Sequence, residues 1–340
     1  MPDPSNNIEY PARWDWSAIE RILLIRLRSI GDAVLTTPSI TALRRFLPGA
    51  RIDILLEDWV APVLEGFEGV DNVIAFTPGK IFERMHLSRA LRKNKYDVVY
   101  NMHGGSTSAF FTAAAGARHR VGFGHYRYGK TYNHLAIPAL EFWGNEKLHS
   151  AEQQLALLGW TGVPVGDRPR ASLNVTAEAD AKITEKLKTA GVKDGAALAL
   201  FHPAAAFASK EWAAEKFAAV AEYLAGIGIT TIAVAAPGEE TVLRNMKEKA
   251  SVPVNSFSDL TLPQITALAR RAKLFVGNDS GIAHIAAAVE TPCVVIFGPS
   301  NINHWRPYTS APNEAVSAGG QIENVSVEMV IAAIERVLSG

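Results

Sequence analysis

Short aliphatic runs alternate with segments of helical periodicity along most of this chain, and the alternation stops once and then restarts. In the first half the strand candidates are residues 21–27 (RILLIRL), 51–57 (RIDILLE), 97–101 (DVVYN) and 119–123 (HRVGF). Helical patterns such as Ser39–Leu47 and Leu87–Lys95 lie between them, and the pattern over 150–160 closes the half. Strand, helix and strand in series call for parallel sheets with right-handed crossovers. Residues 161–173 (TGVPVGDRPRASL) bring glycine, proline and charge without periodicity and read as a linker. The alternation then resumes at 197–202, 229–236, 274–278 and 293–298, with helical patterns over Glu211–Leu224 and Leu262–Arg271.

The expectation is an α/β chain of two doubly wound, Rossmann-like domains, with ligands held at the carboxyl ends of strands facing a central cleft. The domains are expected at 1–165 and 166–325. A terminal helix follows at 326–340, with Ser326 as its N-cap and a stripe of Val327, Val330, Ile331, Ile334, Val337 and Leu338. That helix is expected to pack back on the N-terminal domain.

Charge and cysteine usage narrow the class. Lys+Arg and Asp+Glu both number 34, a balance that argues against a nucleic-acid partner. The lone Cys293 sits in an apolar run and cannot form an internal disulfide, which fits a reducing, cytoplasmic setting. The first sixteen residues carry no apolar signal core. No run reaches the roughly 18 apolar residues needed to span a bilayer.

Polar residues gather at the strand ends. After the first strand comes RSIGDAVLTTP, in which Gly31 permits a tight turn and Asp32 follows. Asp32 has two readings, a helix cap and a general base that accepts a proton from a substrate hydroxyl. In VGNDSGIAHIAAA a strand ends, small polar residues turn, and a helix begins. The amides of Ser280, Gly281 and Ile282 form an anion site there, Ser280 adds a hydroxyl, and Asp279 is an acceptor for a sugar or amide. His284, one turn on, either reaches the ligand or packs on the sheet.

The same layout recurs in HPAAAFASKEW, with Ser209, Lys210 and Trp212. A lysine at a helix start opposes the helix dipole, which is easier to explain if Lys210 faces a phosphate. A third strand end, AAPGEE, places Glu239 or Glu240 beside them. No Asp-x-Asp pair, G-x-G-x-x-G turn or G-x-S-x-G elbow is present, and no metal-ligand spacing is seen. Residues 124–131 (GHYRYGKT) match a phosphate-binding loop literally. Their bulky filling, the Pro138 that follows and the missing Walker B strand argue against that role.

Taken together, IRLRSIGDAVLTTPSITALRRFLPGARIDIL, HPAAAFASKEW and VGNDSGIAHIAAAVETPCVVIFGPS resemble the glycosyltransferase family 9 heptosyltransferases, over roughly residues 20 to 338. The resemblance implies a GT-B fold, an N-terminal acceptor domain and a C-terminal domain for ADP-heptose or a similar nucleotide sugar. It implies metal-independent transfer with inversion to the lipopolysaccharide inner core, and no cofactor. Asp32 would be the base. Ser209, Lys210, Glu239, Asp279, Ser280, Gly281 and His284 would bind the donor. The chain departs from the family pattern at Asn101, where an acid is common, and at Ala204, where glycine is common.

Between Asp97 and Glu141 there is no acid, while Arg118, Arg120, Arg127, Lys130 and four histidines lie there. An anionic, lipid-linked acceptor bearing carboxylates or phosphates would suit such a field, with Arg28, His103, Arg120, Arg127 and Lys130 as its expected contacts. A solvated loop is the bland alternative. The cationic run over 80–95 is read either as a solvated helix face or as peripheral contact with the inner membrane. Two further functions stay open. One is a sugar-nucleotide epimerase, which needs more cleft carboxylates, and the other is a non-catalytic carbohydrate-binding member of the fold.

Overall fold

The computed structural model describes residues 10–144 and 147–339, so most of the N-terminal stretch read for a signal core lies outside the described residues. The chain forms two compact units that meet in sequence at Ala171 and Ser172. The first unit holds a six-stranded parallel sheet of β1 (Arg21–Ile25), β2 (Arg51–Glu57), β3 (Asn72–Phe76), β4 (Val98–Asn101), β5 (His119–Phe123) and β6 (His134–Ala136). The second holds β7 (Leu198–His202), β8 (Thr230–Val234), β9 (Asn255–Phe257), β10 (Leu274–Asn278), β11 (Cys293–Phe297) and β12 (Asn313–Ser317).

The strand orders are β3-β2-β1-β4-β5-β6 and β12-β11-β10-β7-β8-β9. Counted within each unit, both sheets follow the order 3-2-1-4-5-6 of a doubly wound fold. The winding reverses between β1 and β4 in one unit and between β7 and β10 in the other. Neighbouring loops diverge at such a point and leave a crevice at the strand ends.

The central strands are buried on both faces. In the first unit Leu23, Ile25, Leu27, Leu55 and Val99 pack with Phe76, Leu91 and Phe111. In the second, Ala199, Phe201, Val276, Val294 and Ile296 pack with Trp212 and Phe217. The structure adds four strands to the eight expected: β3, β6, β9 and β12. All lie outside the central strands, and β9 has no fully buried residue. Of these, β6, β9 and β12 lack the continuous apolar run that marks a buried parallel strand.

The linker reading also shifts. Val163 and Val165 are buried, and Thr161 accepts from the Arg13 amide and from Trp16 Nε1, so the start of this segment belongs to the first unit. In the terminal helix Val327–Ser339 the Ser326 hydroxyl accepts from the Met329 amide at 3.3 Å, as an N-cap should. Its apolar stripe is buried in the second core, through Val330, Ala333, Ile334 and Val337. Leu338, expected in that stripe, is exposed. No helix among the described residues is long and apolar enough to cross a membrane.

Candidate functional site

In the first unit the crevice between β1 and β4 is built around an arginine. Arg26 directly follows β1 and continues its register, its amide donating to the Leu55 carbonyl. Its guanidinium pairs with Asp32 Oδ1 and donates to the Met102 carbonyl, tying the turn after β1 to the turn after β4. Asp32 lies in the short helix Ile30–Val34, where Oδ2 accepts from the Ser29 amide and hydroxyl, both at 3.2 Å. The carboxylate is therefore a helix cap and half of an ion pair at once, and its side chain is 15% exposed. Gly31 is a buried residue of the first helical turn with no positive φ, so this turn does not use glycine's left-handed freedom.

His103 sits beside this pair. Burial, followed by the positive charge of Arg26 and Arg28, pushes its pKa down to about 4, against the opposing pull of Asp32. Its ring hydrogen-bonds the Arg28 backbone and is neutral at physiological pH. Asp32, Arg28 and His103 thus lie near one another after β1 and β4. Arg26, which pairs with Asp32, was not among the candidate residues. A charged residue inside an otherwise apolar run was the available signal, since such a group needs a partner.

Asn101 explains one departure from the family pattern. Its amide nitrogen donates to the hydroxyls of Ser108, Thr112 and Tyr132, at 3.1, 3.2 and 2.8 Å. Its oxygen accepts from the amides of His103 and Gly104. The Ser108 and Thr112 hydroxyls donate their protons to the Gly105 and Ser108 carbonyls, so they present lone pairs to residue 101. A neutral amide suits that surrounding better than a carboxylate does.

Residues 124–131 do not form a phosphate loop. They make a turn and one 3-10 turn, Gly129–Thr131, that runs on to β6, with no long helix after it. Tyr126 from this loop covers Gly104 so closely that a Cβ there would lie 2.7 Å from the ring. Burial raises the Tyr126 pKa, and Arg26 lies close enough to oppose that shift.

Among the expected acceptor contacts, Arg120 is engaged by the fold itself. Its Nε donates to the Thr131 carbonyl at 2.8 Å and its Nη1 to the Ala117 carbonyl at 2.9 Å. Arg28, Arg127 and Lys130 are exposed. His119 and His134 hydrogen-bond each other at 3.0 Å under Trp14.

In the second unit the crevice lies between β7 and β10. Asn278, at the end of β10, accepts from the Trp212 amide at 3.2 Å and donates to the Pro203 carbonyl at 2.8 Å. This fixes the loop that carries Lys210. The close approach continues at Gly298, where a Cβ would lie 2.5 Å from the Ser209 carbonyl. Ala204, the other departure, packs its methyl into the core.

Lys210 Nζ meets Asp279 Oδ2 at 2.7 Å, with the lysine side chain 26% exposed and the aspartate 6%. Asp279 therefore aims the lysine, where the sequence reading gave it a sugar or amide donor. Ser280 is the N-cap residue of helix Gly281–Ala288, yet it makes no side-chain cap bond. Its hydroxyl is 3.1 Å from His202 Nδ1 instead. The first amides of that helix thus carry no cap from Ser280, which is the arrangement an anion needs. Burial pushes His202 down to about 4. His284 is buried on the same helix near the Trp305 ring, whereas Ser209 is exposed.

Glu239 precedes helix Glu240–Lys249 and accepts from the Ala236 amide at 3.0 Å. Glu211, which was not singled out in the sequence, lies near enough that burial and the charge of Glu239 raise its pKa. Its place beside Lys210 was the only signal for it.

Comparison with known proteins gives the family and the fold. The family model described as glycosyltransferase family 9 (heptosyltransferase) matches residues 84–329. Lipopolysaccharide heptosyltransferase 3 of Escherichia coli K12 is 30% identical over 301 residues, covering 83% of this chain and 84% of that protein. A family 9 glycosyltransferase structure from Veillonella parvula superposes with a TM-score of 0.85 at 22% identity, covering 99% of both chains. An E. coli heptosyltransferase structure with ADP superposes with a TM-score of 0.75 at 22% identity, covering 93% of this chain and 99% of that one. These likenesses establish the two-domain GT-B fold.

Proposed function

The chain belongs to glycosyltransferase family 9, and from that premise we propose that it moves a heptose from ADP-heptose to the lipopolysaccharide inner core. The observation that carries this reading is the pairing of Lys210 with Asp279 at the β7/β10 crevice, beside helix amides that Ser280 leaves uncapped. A lysine aimed by a buried carboxylate and a row of free amides make a site for a diphosphate. Glu239 contacts the donor's ribose or sugar, and Ser209 and His284 complete the donor set.

The acceptor half of the reading rests on the β1/β4 crevice. Asp32 accepts the proton of the acceptor hydroxyl as that oxygen attacks the anomeric carbon, and the bond to the departing ADP breaks on the opposite face, inverting the centre. Each carboxylate oxygen has a second lone-pair direction, so Asp32 can take the proton while Arg26 and Ser29 hold it in place. Arg28, His103, Arg127 and Lys130 meet the anionic acceptor. Lys210 and the helix amides stabilise the leaving diphosphate as preorganised electrostatics, and no metal is called for. The acceptor is lipid-linked, which makes peripheral contact with a membrane part of the reading.

A calorimetric screen of ADP-, UDP-, GDP- and CMP-sugars tests it. ADP-sugar binding that EDTA does not change is expected, and a preference for UDP would overturn the donor assignment.

A further inference from the structure

Helix Ile81–Lys93 turns its largest apolar side chains outward. Phe82 is 87% exposed and Met85 46%, while the adjacent helix Ser106–Ala115 adds Phe110 at 40%. The Arg84 guanidinium lies 3.8 Å from the Phe110 ring centroid, on the side of the helix that meets its neighbour. Between the helix and edge strand β3, an open groove of about 430 Å³ is lined by Ala75, Phe82, Glu83, His86, Leu87 and Ala90.

The helical period explains the arrangement. At 100° per residue, Phe82, His86, Arg89 and Lys93 fall on one face, flanked by Met85 and Arg92, with Leu91 opposite. The six outward residues are exposed and Leu91 is buried. Residues 80–95 contain six Lys and Arg and a single acid, Glu83, which is tied to Lys80 at 3.0 Å. The face is thus apolar at its start and cationic along the rest.

We infer that this face docks on an anionic lipid bilayer, with Phe82 and Met85 entering the headgroup boundary and Arg89, Arg92 and Lys93 lying on lipid phosphates. Aromatic tips beside a cationic row are the chemistry of interfacial binding, in which apolar insertion and attraction to anionic headgroups add. A second copy of this chain fits the face poorly, because a two-fold contact would bring the same cationic row against itself. The inference rests on the reading of a lipid-linked acceptor, since a bilayer surface is where such an acceptor is met.

Flotation of the full chain tests this, using phosphatidylcholine vesicles and vesicles that also contain phosphatidylglycerol. The chain is expected to float only with the anionic vesicles and to be released by salt. Combining Arg89→Glu with Lys93→Glu lowers binding at least about tenfold at low salt. Phe82→Ser lowers it several-fold with the salt dependence retained. All three positions are exposed, so melting temperatures should stay near that of the wild type, which shows that loss of binding is not loss of fold.

No flotation with anionic vesicles would overturn the inference, as would equal flotation of wild type and variants. So would a concentration-dependent dimer in sedimentation that Phe82→Ser dissolves. Transfer to a delipidated acceptor separates the two readings. A chain that transfers but does not float loses the docking surface and keeps the transferase. A chain that floats but does not transfer does the reverse.

Discussion

Lys210 and Asp279 close a 2.7 Å ion pair between the loop after β7 and the end of β10, and the carboxylate is the more deeply buried partner. Removing the lysine therefore leaves a buried charge uncompensated. Lys210→Met is expected to weaken ADP binding by at least about tenfold and to cost roughly 1–3 kcal/mol of stability, the lower end reflecting the lysine's partial exposure. Adding Asp279→Asn should recover part of the stability and none of the affinity. Calorimetry and chemical denaturation of the two variants give both numbers.

Asp32→Asn keeps an acceptor oxygen for the Ser29 cap and removes the proposed base. Turnover is expected to fall by about 100-fold or more while ADP affinity stays near the wild-type value. Retained turnover would place the base elsewhere. Arg26→Ala should lower kcat as well, because the carboxylate loses its Oδ1 partner, and should leave donor KM nearly unchanged.

Asn101→Asp tests the hydroxyl network. Ser108 and Thr112 already give their protons to carbonyls, so a carboxylate there would face lone pairs in a buried site. A loss of roughly 1–3 kcal/mol is expected, read by denaturant titration. An unchanged midpoint would show that the hydroxyls reorient freely.

Two arginines of the acid-free segment should part company. Arg120→Ala frees two backbone carbonyls, at Thr131 and Ala117, and should cost about 1–2 kcal/mol of stability. Arg127→Ala, at an exposed position, should leave stability alone and raise acceptor KM. Paired thermal melts and steady-state kinetics separate the two.

Two histidines, His202 buried and His103 half-buried, set an acid limit. His103 and His202 both have folded pKa values near 4, pushed down by burial from 6.5. Between those values the unfolded chain binds protons that the folded chain does not, so stability is full above pH about 6.5 and is lost as pH falls toward 4. The His202 share is on the order of 3 kcal/mol at most. Denaturation midpoints across that range should decline more gently in His202→Asn.

The buried centre of each sheet was legible because a parallel strand covered on both faces must be continuously apolar, as in β1, β7 and β11. Edge strands such as β9 carry no such demand and were missed. Lys210 was legible because a cation at a helix start runs against the backbone dipole. Its pairing with Asp279 was not, since the two lie far apart in the chain and only the winding of the sheet joins them. Arg26 had a local signal, a charge inside an apolar run, whereas Asn101 read as a departure until its hydroxyl partners were placed around it.

Both sheets repeat one winding order, and each has its own core and its own crevice. In evolutionary terms the chain is two separately editable halves. On the proposed assignment of acceptor to the first unit and donor to the second, the loops after β1, β4 and β5 can be rewritten to suit a new acceptor while the other half keeps its vocabulary. Relatives that share a nucleotide sugar but differ in the sugar they extend should therefore diverge fastest in the first half, and a chimera joined at Ala171/Ser172 should inherit its acceptor from the N-terminal parent.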